Sequence, residues 1–210
     1  MIKLMPGALK IMSVLFAICD KNIALLAADS RMVTCGDENG DIIDDHQHKI
    51  FKINDRLLFG GVGSIKGYES LVDAFKDVDY ANLTLECADI LLQEYMNGIM
   101  EKVHSTGHRT YILVGRNLNE DICVYTYDYN TTTKTSNIER INLAQCDMCE
   151  IYIGLPPSLA GQSDVYAKKL RTIMNREDTI SGLKDGISGL IRDISNVDVT
   201  VGGEPEFVRI

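Results

Sequence analysis

Three groups of residues in this 210-residue chain have types and spacings that could do chemistry. Cys146-Asp147-Met148-Cys149 has the spacing of a zinc knuckle or a redox dithiol, but it stands without a second pair and reads as two structural cysteines. His46 and His48 fall on one side of an extended segment, with Asp44 nearby, and could ligate a metal. No third well-placed ligand accompanies them, so a solvated loop is the simpler reading. Asp41, Asp44 and Asp45 could bind a cation or divide acid and base roles. They sit in a polar loop, with no apolar wall to push their pKa values apart, and read as surface.

The elements that must position any site begin as β structure. Val14 to Cys19 and Ile23 to Ala28 are apolar runs around Asp20-Lys21-Asn22, a hairpin pattern. Met32 to Cys35 and Ile42 to Ile43 flank Asp37-Glu38-Asn39-Gly40, a second hairpin whose Asn-Gly suits a tight turn. Lys49 to Ile53 alternates with period two, and Leu57-Leu58-Phe59 runs into Gly60-Gly61-Val62-Gly63-Ser64. Helices are expected from Ile65 to about Lys76 and from about Leu83 to Val103. In the longer one Cys87, Leu91, Tyr95, Ile99 and Val103 form a stripe, with Asn82 or Thr84 as the cap. Strands follow at Tyr111 to Val114, Ile122 to Tyr127 and Glu150 to Ile153. After Pro156-Pro157 a helix runs through about Asn175, and its partner spans Thr179 to Ser195 with the stripe Ile180, Leu183, Ile187, Ile191 and Ile194. Phe207 to Ile210 reads as a last strand. The order β, αα, β, αα, β suits two sheets packed face to face with helix pairs outside.

Composition narrows the function classes. Hydrophobic residues make up 45% and charged residues 24%, an ordinary globular balance that argues against disorder. The net charge of −9, with Lys and Arg scattered, argues against a nucleic-acid surface. At the start of the chain two lysines precede an apolar run, but Pro6 and Gly7 interrupt it and Asp20-Lys21 end it too early for a membrane span. Six cysteines at this low density point to a reducing cytoplasm, and no linker or repeat divides the chain.

Four fragments in order carry a resemblance. These are Ala27-Ala28-Asp29-Ser30-Arg31, then Lys49-Ile50-Phe51-Lys52-Ile53, the glycine loop ending Gly63-Ser64, and Arg192-Asp193-Ile194-Ser195. With the strand and helix pattern from Met12 onward, the chain resembles a proteasome β subunit of the N-terminal-nucleophile hydrolase superfamily. The resemblance implies an α+β fold, a four-layer αββα sandwich of two antiparallel sheets flanked by helix pairs. It also implies an oligomeric ring, peptide or unfolded-protein substrates, and no cofactor or metal.

In that family the nucleophile opens the mature chain sixteen positions before the Asp of Asp-Ser-Arg, and counting back from Asp29 reaches Ser13. The chemistry requires a terminus, because a hydroxyl needs a base and the free α-amine can serve. Residues 1–12 would then be a propeptide or a mis-called start, with 13–210 as the domain. The resemblance makes Lys49 the ammonium that lowers the hydroxyl pKa and Asp29 the carboxylate that keeps Lys49 charged. It makes Gly63 the oxyanion donor, with Gly61 as the fallback, and Asp193, with Ser195 nearby, the group that orients the amine. Three departures stand out: Ser replaces Thr, Met12 replaces the Gly before the nucleophile, and Leu155 stands where the family has a serine. The expected function is therefore a proteasome-like amide hydrolase, and the alternative is a catalytically inactive proteasome-like structural subunit. A small-amide hydrolase or ligase on the same scaffold would be a third use of the fold.

Overall fold

The computed structural model describes residues 2–4, 13–33, 41–63, 75, 78–102, 108–130, 132–146 and 150–210. Twelve strands are present among them: β1 Ile2–Leu4, β2 Leu15–Cys19, β3 Ala24–Ala28, β4 Met32–Val33, β5 Ile42–Asp44, β6 Ile50–Asn54, β7 Leu57–Gly63, β8 His108–Arg116, β9 Ile122–Asn130, β10 Thr135–Asn142, β11 Glu150–Gly154 and β12 Glu206–Arg209. The α-helices are α1 Leu85–Lys102, α2 Ser163–Arg176 and α3 Ile180–Ser195. None of the described helices is long and apolar enough to cross a membrane. The first expected helix, Ile65 to Lys76, lies almost wholly outside the described residues.

One sheet has the order β1-β11-β2-β3-β12 and the other β10-β9-β8-β7-β6, while β4 and β5 pair apart from both. The second sheet is antiparallel throughout. The first departs from the expected antiparallel pattern at one edge, where β1 runs parallel to β11 with Ile2 opposite Ile151 and Leu4 opposite Ile153. Parallel neighbours cannot be joined by a tight turn, and β1 and β11 lie far apart in the sequence, at Ile2–Leu4 and Glu150–Gly154.

The uninterrupted apolar runs of β2 and β3 reflect burial of both faces, since alternate side chains enter different cores. Leu15, Ala17, Leu26 and Ala28 join Ile50, Leu58, Ile112 and Val114 between the two sheets. Phe16, Ile18, Leu25 and Ala27 instead join Tyr166, Leu170, Ile187, Leu190 and Ile194 from α2 and α3. A third core sets Phe59, Tyr111, Leu113 and Tyr127 against Leu85, Ala88, Leu92 and Met96 of α1.

Thr84 is the cap of α1, its hydroxyl accepting from the Cys87 N–H at 3.2 Å. Among the described side chains the buried face of α1 is Leu85, Ala88, Leu92 and Met96, which corrects the expected stripe over its first part: Cys87 is exposed, and Leu91 and Tyr95 are only partly buried, while the side chains of Ile99 and Val103 lie outside the described residues. Both sets repeat at helical spacing, and the one with smaller, wholly apolar side chains wins the closer approach to the sheet. On α3 the stripe holds at Ile187, Ile191 and Ile194, and Thr179 caps the helix through the Gly182 N–H at 3.0 Å. The helices α2 and α3 run antiparallel, because Ile173 meets Gly186 while Lys169 reaches Asp193. β10 was not expected at all. Most of its residues face solvent, and Thr-Ser-Asn-Ile-Glu-Arg carries little apolar alternation.

Candidate functional site

The hairpin of β2 and β3 places residues 13 and 14 beside residue 29, because Leu15 pairs with Ala28. Asp29 follows β3 immediately and is fully buried. Its Oδ1 accepts from the Val14 N–H at 2.9 Å and from Lys49 Nζ at 2.8 Å, and its Oδ2 accepts from the Gly202 N–H at 3.1 Å. Three donors on one carboxylate are the arrangement that keeps a buried charge tolerable.

Lys49 enters from the start of β6 and is buried along its length. Burial pushes its pKa below the usual lysine value, and Asp29 opposes that shift as the nearest negative charge. The Lys49 carbonyl accepts from the Gly61 N–H at 3.1 Å, which ties the glycine run of β7 to the ion pair. Ser13, also buried, is one residue from the Val14 N–H that Asp29 binds. Ser13, Asp29 and Lys49 are thus brought to one place. Gly63 closes β7 opposite Arg109 of β8, two residues beyond the Gly61 contact.

Asp193 is not drawn in with them. It lies on α3, its side chain 65% exposed, 3.8 Å from Lys169 Nζ on α2. Ser195 bonds back to its own helix, its hydroxyl donating to the Arg192 carbonyl at 2.8 Å. Helical geometry explains both: with Leu190, Ile191 and Ile194 turned into the core, position 193 must face outward. Leu155 is a core side chain packed in the same cluster as Val14 and Val201.

The second Asp-Ser-Arg residues act structurally. Ser30 Oγ donates to the Asp45 carbonyl at 2.5 Å, and Arg31 binds the Asp45 carboxylate through Nε at 2.7 Å and Nη2 at 3.2 Å. Asp45 is therefore not free surface, as its loop suggested, and the Arg31 guanidinium holds its carboxyl below the usual range. Backbone N–H groups of Ser30 and Arg31 both donate to the Gly202 carbonyl at 3.0 Å. Gly203 has φ +71°, and a Cβ there would sit 2.3 Å from the Asp45 carbonyl oxygen and from Ser30 Oγ. Only glycine lets the 199–203 segment close over Asp29.

The histidines do not converge: His46 N–H bonds Asp44 within its own turn, and His48 Nδ1 pairs with Glu206. Cys146 Sγ is 3.8 Å from the Asn142 carbonyl, and Cys149 lies outside the described residues. Two further polar features lie outside the motifs read from the sequence. Glu206 on β12 accepts from both His48 and the Lys49 N–H, and Asp198 takes the hydroxyl of Ser158 together with the N–H and hydroxyl of Thr200. The Asp198–Thr200 turn is a local Asx pattern that could have been found, whereas its link to Ser158 is long-range.

No protein-family model matches the chain, and no curated protein matches it. Among solved structures it is similar to one described as the crystal structure of eukaryotic HslV from Trypanosoma brucei, at 12% identity and a TM-score of 0.53. The match covers 93% of this chain and 98% of that one. At this identity the likeness establishes a shared fold.

Proposed function

We propose that the chain is a proteasome-like amide hydrolase whose nucleophile is Ser13, freed as an N-terminus. The buried Asp29–Lys49 pair, bonded to the backbone beside Ser13, carries this reading. Three cores separating helix pair, sheet, sheet and helix support the αββα layering it requires. In the proposed reaction Ser13 Oγ attacks the amide carbonyl while its proton passes to the α-amine and then to the leaving amine. The Lys49 ammonium lowers the hydroxyl pKa, and the β7 glycine backbone near Gly63 stabilises the oxyanion. Water then releases the acyl group, so every proton is returned. Peptide or unfolded-protein substrates, a homo-oligomeric ring and a cytoplasmic setting complete the proposal by analogy with the proteasome-like resemblance.

A second reading has its own support: a catalytically inactive subunit that keeps residues 1–12. β1 is integrated as an edge strand, and Ser13 remains peptide-bonded while that segment is attached. The solvent-facing position of Asp193 and the apolar Leu155 leave the amine without the two side-chain partners that the family would supply there. Intact mass and N-terminal sequencing of protein expressed from Met1 and from Met12, followed by an epoxyketone directed at N-terminal nucleophiles, separates the two. A chain beginning at Ser13 that gains the inhibitor's mass upholds the hydrolase. A chain beginning at Met12 or earlier that never reacts upholds the inactive subunit.

A further inference from the structure

Two arginines face the α1 side of the second sheet and are treated differently. Arg140 on β10 is half exposed and binds Asp89 through Nε at 2.9 Å and Nη2 at 3.1 Å, while Tyr127 donates to the same carboxylate at 2.8 Å. Arg109 on β8 is only 4% exposed, yet its Nε and Nη1 have no hydrogen-bond partner among the described residues. The Tyr129 hydroxyl, also buried, has none either.

These groups adjoin. Arg109 is directly opposite Tyr129 in the β8–β9 ladder, and Tyr111, two residues along β8, shares their face. The Tyr111 ring lies 6.5 Å from that of Tyr129, and Arg109 acts on its hydroxyl. Burial pushes both phenols up to about 12, so both keep their protons and can donate. Among the described residues this buried guanidinium and this buried phenol have no negative acceptor for their unused donors, the Asp89 carboxylate near Tyr129 being taken by Gln93, Tyr127 and Arg140. Glu86, whose Oε2 is also unpartnered, acts on Cys123 and Tyr125 toward the other end of β9.

We propose that Arg109, Tyr111 and Tyr129 form a buried carboxylate-binding site between α1 and the second sheet. A carboxylate matches the single guanidinium charge for charge and accepts from both kinds of donor. A phosphate dianion would bring a second, uncompensated charge into the same apolar layer. The site is separate from Ser13, Asp29 and Lys49, because odd positions of β8 face α1 while Ile112 and Val114 face the other sheet.

The test is thermal unfolding of the full chain, dialysed into chloride. It is titrated at constant ionic strength with sodium acetate, sodium phosphate, and triglycine carrying a free or an amidated C-terminus. The expected result is a saturable rise in Tm with acetate, lost in Arg109→Met and about tenfold weaker in Tyr129→Phe. If free triglycine matches acetate and its amide does not, a peptide terminus is the carboxylate source. If acetate acts alone, the source is a small free acid, and both results uphold the site. No saturable rise in the wild type, a response confined to phosphate, or a response retained in Arg109→Met overturns it. Should Arg109→Met fail to fold, an acetate response in Tyr129→Phe equal to the wild type overturns it as well.

Discussion

Replacing Asp29 by Asn keeps its shape and removes its charge, which isolates what the ion pair contributes. The Asn oxygen can still accept from Val14 N–H or Lys49, but its amide nitrogen then confronts either Lys49 Nζ or the Gly202 N–H, donor against donor. Breaking a buried pair from one side costs about 3–5 kcal/mol because the surviving charge is stranded. The orphaned N–H overlaps with that cost, so about 4 kcal/mol is the expected loss, a large share of a stability of about 5–15 kcal/mol. Lys49→Met should cost less, about 2–3 kcal/mol, since Asp29 keeps two backbone donors. The double variant strands no charge and should be more stable than the sum of single losses by about 2 kcal/mol. Urea unfolding monitored by circular dichroism would read midpoints at constant slope. Single losses that add to the double within about 0.5 kcal/mol would refute the coupling between Asp29 and Lys49.

Four further outcomes are expected. Stability of the wild type should rise with pH as it approaches 10.5, because the unfolded chain holds the Lys49 proton over a window in which the folded chain has released it, and Lys49→Met should flatten that rise in denaturant titrations. Asp45 has the opposite sign: its contribution is present above its ordinary value of 3.8 and is lost as pH falls through its lowered folded pKa, so Asp45→Asn should remove part of the acid-side transition. Gly203→Ala should destabilise by more than about 2 kcal/mol, given φ +71° and the 2.3 Å contacts, whereas Gly189→Ala on α3, where a Cβ meets nothing, should add about 0.5–1 kcal/mol. At pH 8 the peptide carrying exposed Cys87 should alkylate far faster in native protein than that carrying Cys123, whose thiol burial pushes to about 11, and mass mapping would show equal rates if Cys123 were accessible.

What the sequence made legible follows from how locally each feature is encoded. The β2 and β3 strands stood out because both faces are buried, and α3 stood out because its isoleucines repeat at helical spacing. Asp29 and Lys49 were legible as a pair through the order of motifs, and their 2.8 Å contact joins residues on two different sheets. β10 was hidden because an exposed edge strand needs no apolar face, and the α1 face was misphased because two stripes share one helix. Asp45 read as surface because its partner Arg31 is held from the far side by the Val199 carbonyl, a contact spanning 168 positions. Asp193 is the reverse case: an Arg-Asp pair at the end of a helix matches in letters, while the helix phase turns its side chain to solvent.

The site and the start of the chain are in tension, and the tension is chemical. Asp29, Lys49 and the Gly61 contact are already in place with residues 1–12 attached, so the fold does not wait for a free Ser13 to assemble its charges. Such preorganisation is what an activated hydroxyl needs, yet the proton acceptor in the scheme is the one group still absent, the α-amine. β1 occupies the outer edge of β11, so departure of the 1–12 segment after cleavage would also remove a hydrogen-bonded strand from the sheet. Loss of the cleaved segment would uncover that edge of β11, and uncovered edges are costly unless another strand or subunit covers them. On the proposed hydrolase reading, activation and assembly would therefore be coupled, with a neighbour covering the edge that β1 vacates.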